Sequence, residues 1–155
     1  MNTSEGSCEV PIRSGGGLGS RVLRFQPAEA GSSVPHRWDG VPVEDYKQAA
    51  AHWCGVTRMT LVGDRGESTR FHVRYFEIAP GGFTSLERHR HEHVVVVLRG
   101  GGQVQLGVVT HHVGYGDTVY IAPQEAHQLR NASADEPFGF LCIVDAERDQ
   151  PMLLQ

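Results

Sequence analysis

Between Glu87 and His93 the chain runs ERHRHEH, so Glu87, His89, His91 and His93 fall on alternate positions. A strand turns successive side chains to opposite faces, which sets these four on one side and Arg88, Arg90 and Glu92 on the other. Imidazole nitrogens and a carboxylate oxygen held in register are donors for a divalent transition metal, with a further donor to come from a neighbouring strand. Four valines, Val94 to Val97, follow at once and have the texture of a buried strand. Imidazoles beside such a run need partners, because an unpaired polar group is costly away from water, and a metal ion is one such partner. A solvated strand end whose histidines face water is the competing reading, and alternation alone does not separate the two.

A second segment, GDTVYIAPQEAHQLRN at 116–131, has a Gly-Asp turn, an apolar strand, a turn containing Pro123, and then His127. A strand starting near His127 can run beside the first cluster and deliver one more imidazole. Gln128 has the opposite parity to His127 and belongs on the other face. His111 and His112 lie in a hairpin-like stretch and are expected to face solvent. Arg74, Tyr75 and Glu77 sit on the strand before Gly81, and either Arg74 or Tyr75 can reach a ligand, since the local alternation does not decide which side is interior. Cys54, Cys142, Trp38 and Trp53 are expected to serve packing.

The elements that must position these residues are short. Apolar runs at 56–62, 71–78, 94–98, 104–109, 118–121 and 138–144 are separated by GDRGES, APGG, RGGG, GYGD and NASADEP. Six or more short strands with Gly and Pro turns predict an all-β antiparallel sandwich or small barrel, without the helical crossovers of a parallel sheet. RVLRF at 21–25 predicts a further short strand, and VEDYKQAAAHW at 43–53 predicts one short helix from its alanines and the spacing of Val43, Tyr46, Ala50 and Trp53. Residues 1–20, rich in Gly and Ser, are expected to form a flexible arm before a single domain over 21–150.

Both clusters resemble the two motifs of the cupin superfamily. The first motif of that family runs Gly, five residues, His, one residue, His, three or four residues, Glu, six residues, Gly. Here Gly81, Glu87, His89, His93 and Gly100 keep that frame, with glutamate and histidine exchanged at two ligand positions. The second motif is matched from Gly116 through Pro123 and His127 to Asn131, with an extra residue before the proline, one fewer after it, and no second glycine. The resemblance covers 70–144 and implies a jelly-roll (double-stranded β-helix) barrel with a metal in its mouth. It also implies Glu87, His89, His93 and His127 as the ligands. A straight strand would spread positions 87 to 93 over about 20 Å, too far for one ion, so a bend near Arg90 and His91 is expected. His91 is left beside the site, as a solvated loop residue, a hydrogen-bond donor to a ligand, or an acid–base group.

In cupin-like enzymes such a centre supports oxygenation, decarboxylation, isomerisation and lyase chemistry, which share a chelated oxygen anion stabilised by the metal. The resemblance therefore points first to a dioxygenase or oxidase acting on a small oxygen-rich or enolisable substrate, with Glu87 and His91 as the catalytic residues. A non-redox isomerase, lyase or decarboxylase is the alternative enzyme, and a non-enzymatic small-molecule-binding protein the alternative outside enzymology. The cofactor expected is one divalent transition metal ion, Fe or Mn first, with Ni, Cu, Co and Zn also compatible with a mixed nitrogen and oxygen set.

Size and composition narrow the classes. The chain has 155 residues, 21% of them charged, and a formal net charge of -4, with no basic stripe for nucleic acid. No apolar run has the length of a membrane span, the start lacks the basic and apolar regions of a secretory signal, and three scattered cysteines fit a reducing cytoplasm. The expected partners are a small-molecule substrate and, because exposed sheet edges need covering, a second copy in a homodimer.

Overall fold

The computed structural model describes residues 19–46 and 52–154. These residues are all β. In chain order the strands are β1 (Phe25–Gln26), β2 (Arg37–Trp38), β3 (Glu44–Asp45), β4 (Cys54–Val62), β5 (Phe71–Phe83), β6 (Glu87–Arg88) and β7 (His93–Arg99). They continue as β8 (Gly101–Leu106), β9 (Val109–Gly114), β10 (Thr118–Ile121), β11 (His127–Arg130), β12 (Phe138–Asp145) and β13 (Met152–Leu153).

Apart from the β1–β2 ribbon, the strands form one antiparallel sheet that curls on itself. One layer runs β10, β7, β12, β5, β4, β3, and the other runs β9, β8, β11, β6, β13. The long β5 joins them: Phe71 to Ile78 pair with β12, whereas Phe83 at its far end pairs with Arg130 of β11. This is the expected jelly-roll barrel.

Alternation builds its interior. Val95 and Val97 of β7, Phe76 and Ile78 of β5, Phe138, Phe140, Cys142 and Val144 of β12, and Val104, Ile121 and Leu129 form one buried cluster. Val94 and Val96, of the opposite parity, are only half-buried. A second cluster of Val41, Met59, Leu61 and Tyr75, with Trp38 against it, lies on the outer face of β4 and β5. Both faces of β5 are therefore covered, and Arg74 to Ile78 are buried without a break.

Two glycines of the first motif are required by the backbone. Gly81 has φ 73°, a left-handed conformation that side chains disfavour. Gly100, between β7 and β8, has φ 55°, and a Cβ there would meet the Pro137 carbonyl oxygen at 2.3 Å.

Several local expectations are corrected. The helix at 43–53 does not form over 43–46: Glu44 and Asp45 pair with Arg58 and Thr57 instead, and the Arg58 guanidinium donates to Glu44 at 2.7 Å. Residues 47–51, which carry its alanines, lie outside the described residues, as do residues 1–18 of the predicted arm. The strand at 21–25 begins only at Phe25. The run at 104–109 is two strands, because Leu106 pairs with Val109 across the two-residue turn Gly107–Val108, where Gly107 has φ 56°. His111 and His112 on β9 are exposed, as expected. Cys142 is buried, but Cys54, at the margin where β4 begins, is exposed.

Candidate metal centre

The ladder from Glu87 to His93 is broken where metal chelation demands it. β6 ends at Arg88, the chain bends at Arg90 and His91, and β7 begins at His93. Two contacts hold the bend. The Asp149 carboxylate accepts the backbone N–H of Arg90 at 2.9 and 3.1 Å and that of His91 at 3.3 Å. The backbone N–H of Gln124 donates to the His89 carbonyl at 2.7 Å, tying the turn before His127 to the bend. Gln124 itself has φ 65°, the conformation a glycine would adopt without strain in this Pro-containing turn.

These constraints bring His89, His93 and His127 together, with ligand nitrogens all within 4.8 Å of one another. His93 shares the inward parity of Val95 and Val97, and His127 that of Leu129. The hydrogen bonds set the tautomers. His89 Nδ1 lies 2.7 Å from the His91 carbonyl and His127 Nδ1 lies 2.9 Å from the Glu125 carbonyl. A carbonyl only accepts, so each Nδ1 carries the hydrogen and each Nε2 keeps a lone pair. His93 Nδ1 faces the Cys142 sulfur at 3.5 Å.

The Nε2 atoms of His89 and His93 are buried without a hydrogen-bond partner. Burial, followed by the neighbouring imidazoles, lowers the pKa of His89, and burial followed by His89 and His127 lowers that of His93 to about 2. Both rings are therefore neutral at physiological pH, the state a metal ligand needs. Nitrogens bound to one ion at about 2.1 Å in tetrahedral or octahedral geometry stand about 3.0 to 3.4 Å apart, so side-chain rotations that close the present gaps by at most about 2 Å seat an ion on the triad. The residues fit a divalent transition metal.

Glu87 pairs in register with His127 but is not in the close triad; the Ser85 hydroxyl donates to its carboxylate at 2.8 Å. His91 stacks on His89, with centroids 3.6 Å apart and planes at 2°. Its Nδ1 lies 2.8 Å from Asp149, which only accepts when ionised, so Nδ1 is the protonated nitrogen. The Arg90 N–H, then the His91 side chain, hold the Asp149 carboxyl well below the usual carboxylate range.

A cavity of about 340 Å³ opens at the centre, lined in part by Glu87, His89, His91, His93, Arg74 and Arg148. A smaller one of about 50 Å³ runs inward past Glu87, His93, His127, Phe140 and Cys142. Of the two candidates on β5, Arg74 faces this interior, with Phe76 and Ile78, and Tyr75 faces outward against Trp38 at 4.9 Å. Gln128 turns away, donating to the Thr84 carbonyl at 2.8 Å. Sequence reasoning missed Asp149, Arg58 and Arg148. Arg58 has the inward parity of Val56, which is a usable signal. Asp149 and Arg148 lie in an irregular tail with no periodicity to mark them.

At the far end of the barrel, Arg99 continues the inward row of β7 and pairs with Glu77 at 2.6 Å. The same guanidinium donates to the carbonyls of Val34 and Ser32, while Glu77 also accepts from Tyr75 Oη at 2.8 Å and the His36 N–H at 3.0 Å. Among the described residues no helix is long and apolar enough to cross a membrane.

Comparison with known proteins agrees with this architecture. Residues 74–144 match the family model of the cupin domain. The chain is 44% identical over 119 residues to the 1-methylthio-D-xylulose 5-phosphate methylsulfurylase of Rhodospirillum rubrum, covering 76% of this chain and 74% of that protein. A cupin-2 domain crystal structure from Rhodospirillum rubrum superposes with TM-score 0.72 at 40% identity, covering 84% of each chain. A cupin 2 conserved barrel domain protein from Rhodopseudomonas palustris gives TM-score 0.72 at 41% identity, covering 85% of this chain and 86% of that one. Barrel topology, a histidine triad at its mouth and identity over three-quarters of its length together place this chain in the cupin superfamily.

Proposed function

We propose that this chain is a metal-dependent enzyme acting on a small ketose that carries a methylthio group beside its carbonyl, the substrate type named for the Rhodospirillum rubrum relative. The observation that carries the proposal is the convergence of three imidazoles, two with buried, unpartnered Nε2 atoms, in a chain 44% identical to that enzyme. His89, His93 and His127 would hold the ion, and Glu87, at the same cavity, would be the fourth ligand. When bound, such an ion supplies Lewis-acid stabilisation of negative charge developing on a carbonyl oxygen.

The chain's own groups do the rest. Asp149 fixes His91 with its proton on Nδ1, leaving Nε2 to exchange a proton with a ligand in the cavity. Stacking on His89 holds the His91 ring in place against the ligand set. Phe140, Val95 and Leu129 give the inner cavity an apolar wall.

The test is direct. Metal-free protein is reloaded anaerobically with Mn(II), Fe(II) or Zn(II) and assayed with 1-methylthio-D-xylulose 5-phosphate and a small thiol, for transfer of the methylthio sulfur to the thiol as a mixed disulfide while the carbon takes the thiol's proton. Turnover without oxygen uptake supports the proposal. Oxygen uptake with diketones or catechols, and no turnover of the thioether sugar with any metal, would replace it with the oxygenase reading.

A further inference from the structure

The metal-site cavity carries positive charge that the ligand set does not use. Arg58, Arg74 and Arg148 all line it, together with His89, His91 and His93. Arg58 is already engaged by Glu44, at 2.7 and 3.3 Å. Arg74 and Arg148 are not: among the described residues no carboxylate bonds to either.

Arg74 is 9% exposed. Its Nε is buried without a partner, and Nη2 reaches only the Cys142 sulfur, a weak acceptor, at 3.2 Å. Its guanidinium carbon lies over the Phe76 ring, 5.1 Å from the centroid. Arg148 folds back over β5, where Nη1 contacts the Asp145 carbonyl at 2.7 Å and His72 Nδ1 at 3.1 Å. His72 and Arg74 share one face of β5, so the two guanidinium groups are brought to the same wall. Burial, and after it the charge of Arg74, lowers the pKa of Arg148. Two cations held together with donors to spare are destabilising unless an anion joins them, and a phosphate with three acceptor oxygens suits planar guanidinium forks.

We infer that Arg74 and Arg148 form the seat for the phosphate of a sugar phosphate whose other end lies at the histidine triad. This rests on reading the cavity as that of a ketose-processing enzyme. Its volume of about 340 Å³ falls in the range of small-molecule sites, roughly 300 to 1,000 Å³. The two arginines are then specificity residues, selecting phosphorylated over free sugars.

Calorimetric titration of metal-loaded protein with D-xylulose 5-phosphate, D-xylulose and inorganic phosphate tests the assignment. Wild type should prefer the phosphorylated sugar at least tenfold. Arg148→Gln, at an exposed position that tolerates substitution, should weaken D-xylulose 5-phosphate by about tenfold to a hundredfold, the worth of a charge-assisted bond. The same variant should leave D-xylulose and the metal content unchanged. Arg74→Gln should do the same, Arg148→Lys should recover part of the loss, and Arg58→Gln should change little because Glu44 already occupies it.

Equal affinity of wild type and Arg148→Gln for the phosphorylated sugar would overturn the seat. So would turnover of the thioether sugar with an unaltered KM in both arginine variants. Binding of inorganic phosphate that disappears in those variants, in a protein that turns over no thioether sugar, upholds the seat and defeats the proposed reaction.

Discussion

Replacing His93 with leucine should stabilise the metal-free protein and abolish its stabilisation by metal. The first effect comes from the site's own geometry. His93 Nε2 is buried with no partner, its ring is held neutral, and its neighbours include Val95, Leu129, Phe140 and Cys142. An unsatisfied buried polar group costs about 1 to 3 kcal/mol, and leucine of similar volume removes it. At about 2 to 4 °C per kcal/mol for a chain of this length, the metal-free variant should melt about 2 to 12 °C higher. The second effect comes from linkage. Metal at a hundred times its Kd adds about 2.7 kcal/mol to wild type, or about 5 to 11 °C, and the variant should lose most of that increment. Differential scanning calorimetry with chelator and then with excess Mn(II) or Fe(II) reads both. A metal-free His93→Leu protein that melts below wild type would show that Nε2 has a partner. An undiminished metal increment would remove His93 from the ligand set.

Arg99→Met should destabilise by about 3 to 5 kcal/mol, because it strands Glu77 in the protein interior, yet leave metal content unchanged by elemental analysis. Metal-free protein should lose stability to urea as pH falls below about 6.5, since His36, His89 and His93 all have lowered pKa values and the unfolded chain takes up their protons first; a midpoint constant between pH 7 and 5 would contradict this. Gln124→Gly should be neutral or slightly stabilising, whereas Gln124→Val should cost about 1 to 3 kcal/mol and weaken metal binding, because φ 65° is closed to a β-branched residue. Asp149→Asn should lower kcat about a hundredfold or more, because a neutral amide that can also donate no longer fixes the His91 tautomer, and should weaken metal binding as well, because one of the two oxygens that hold the bend at Arg90 is lost; kinetics and elemental analysis read the two effects separately.

Most of the strand pattern was legible because the barrel interior is read every second residue. Odd positions of β7 and even positions of β12 point inward, and the bend at Arg90 and His91 followed from the reach of a single ion. Failures occurred where one physical signal was masked by another. The alanines near 50 argued for a helix, but Glu44 and Asp45 pair with β4 and Arg58 bridges to Glu44. VQLGVV looked like one strand because apolar side chains continue through the Gly107 turn, leaving Val108 99% exposed. Arg74 and Tyr75 could not be told apart because residues 25–43 cover the outer face of β5, so both faces are buried and alternation in polarity disappears. Asp149 and Arg148 act through a tail that folds back over the barrel mouth, a tertiary fact with no local period.

The inward row of β7 contains the distinction between structure and function in this fold. His93 stands at one end of it, half-buried with its Nε2 enclosed, and the buried Arg99 at the other, two polar side chains on a strand of valines. Arg99 is fully engaged, by Glu77 and two backbone carbonyls, and Glu77 in turn by Tyr75 and His36. That network anchors residues 32–36 to the barrel, and nothing in it is left to bind a ligand. His93 and His89, by contrast, leave Nε2 atoms unpaired in a site that burial keeps neutral, and Arg74 leaves Nε unpaired beside them. A folded chain tolerates such costs only where something else completes the bonds. The unpaired atoms are therefore a sharper guide to the site than the histidine pattern itself: they single out His89 and His93 among the four histidines grouped at the mouth, beside which His127 lies, and they extend the site to an arginine that the motif does not contain.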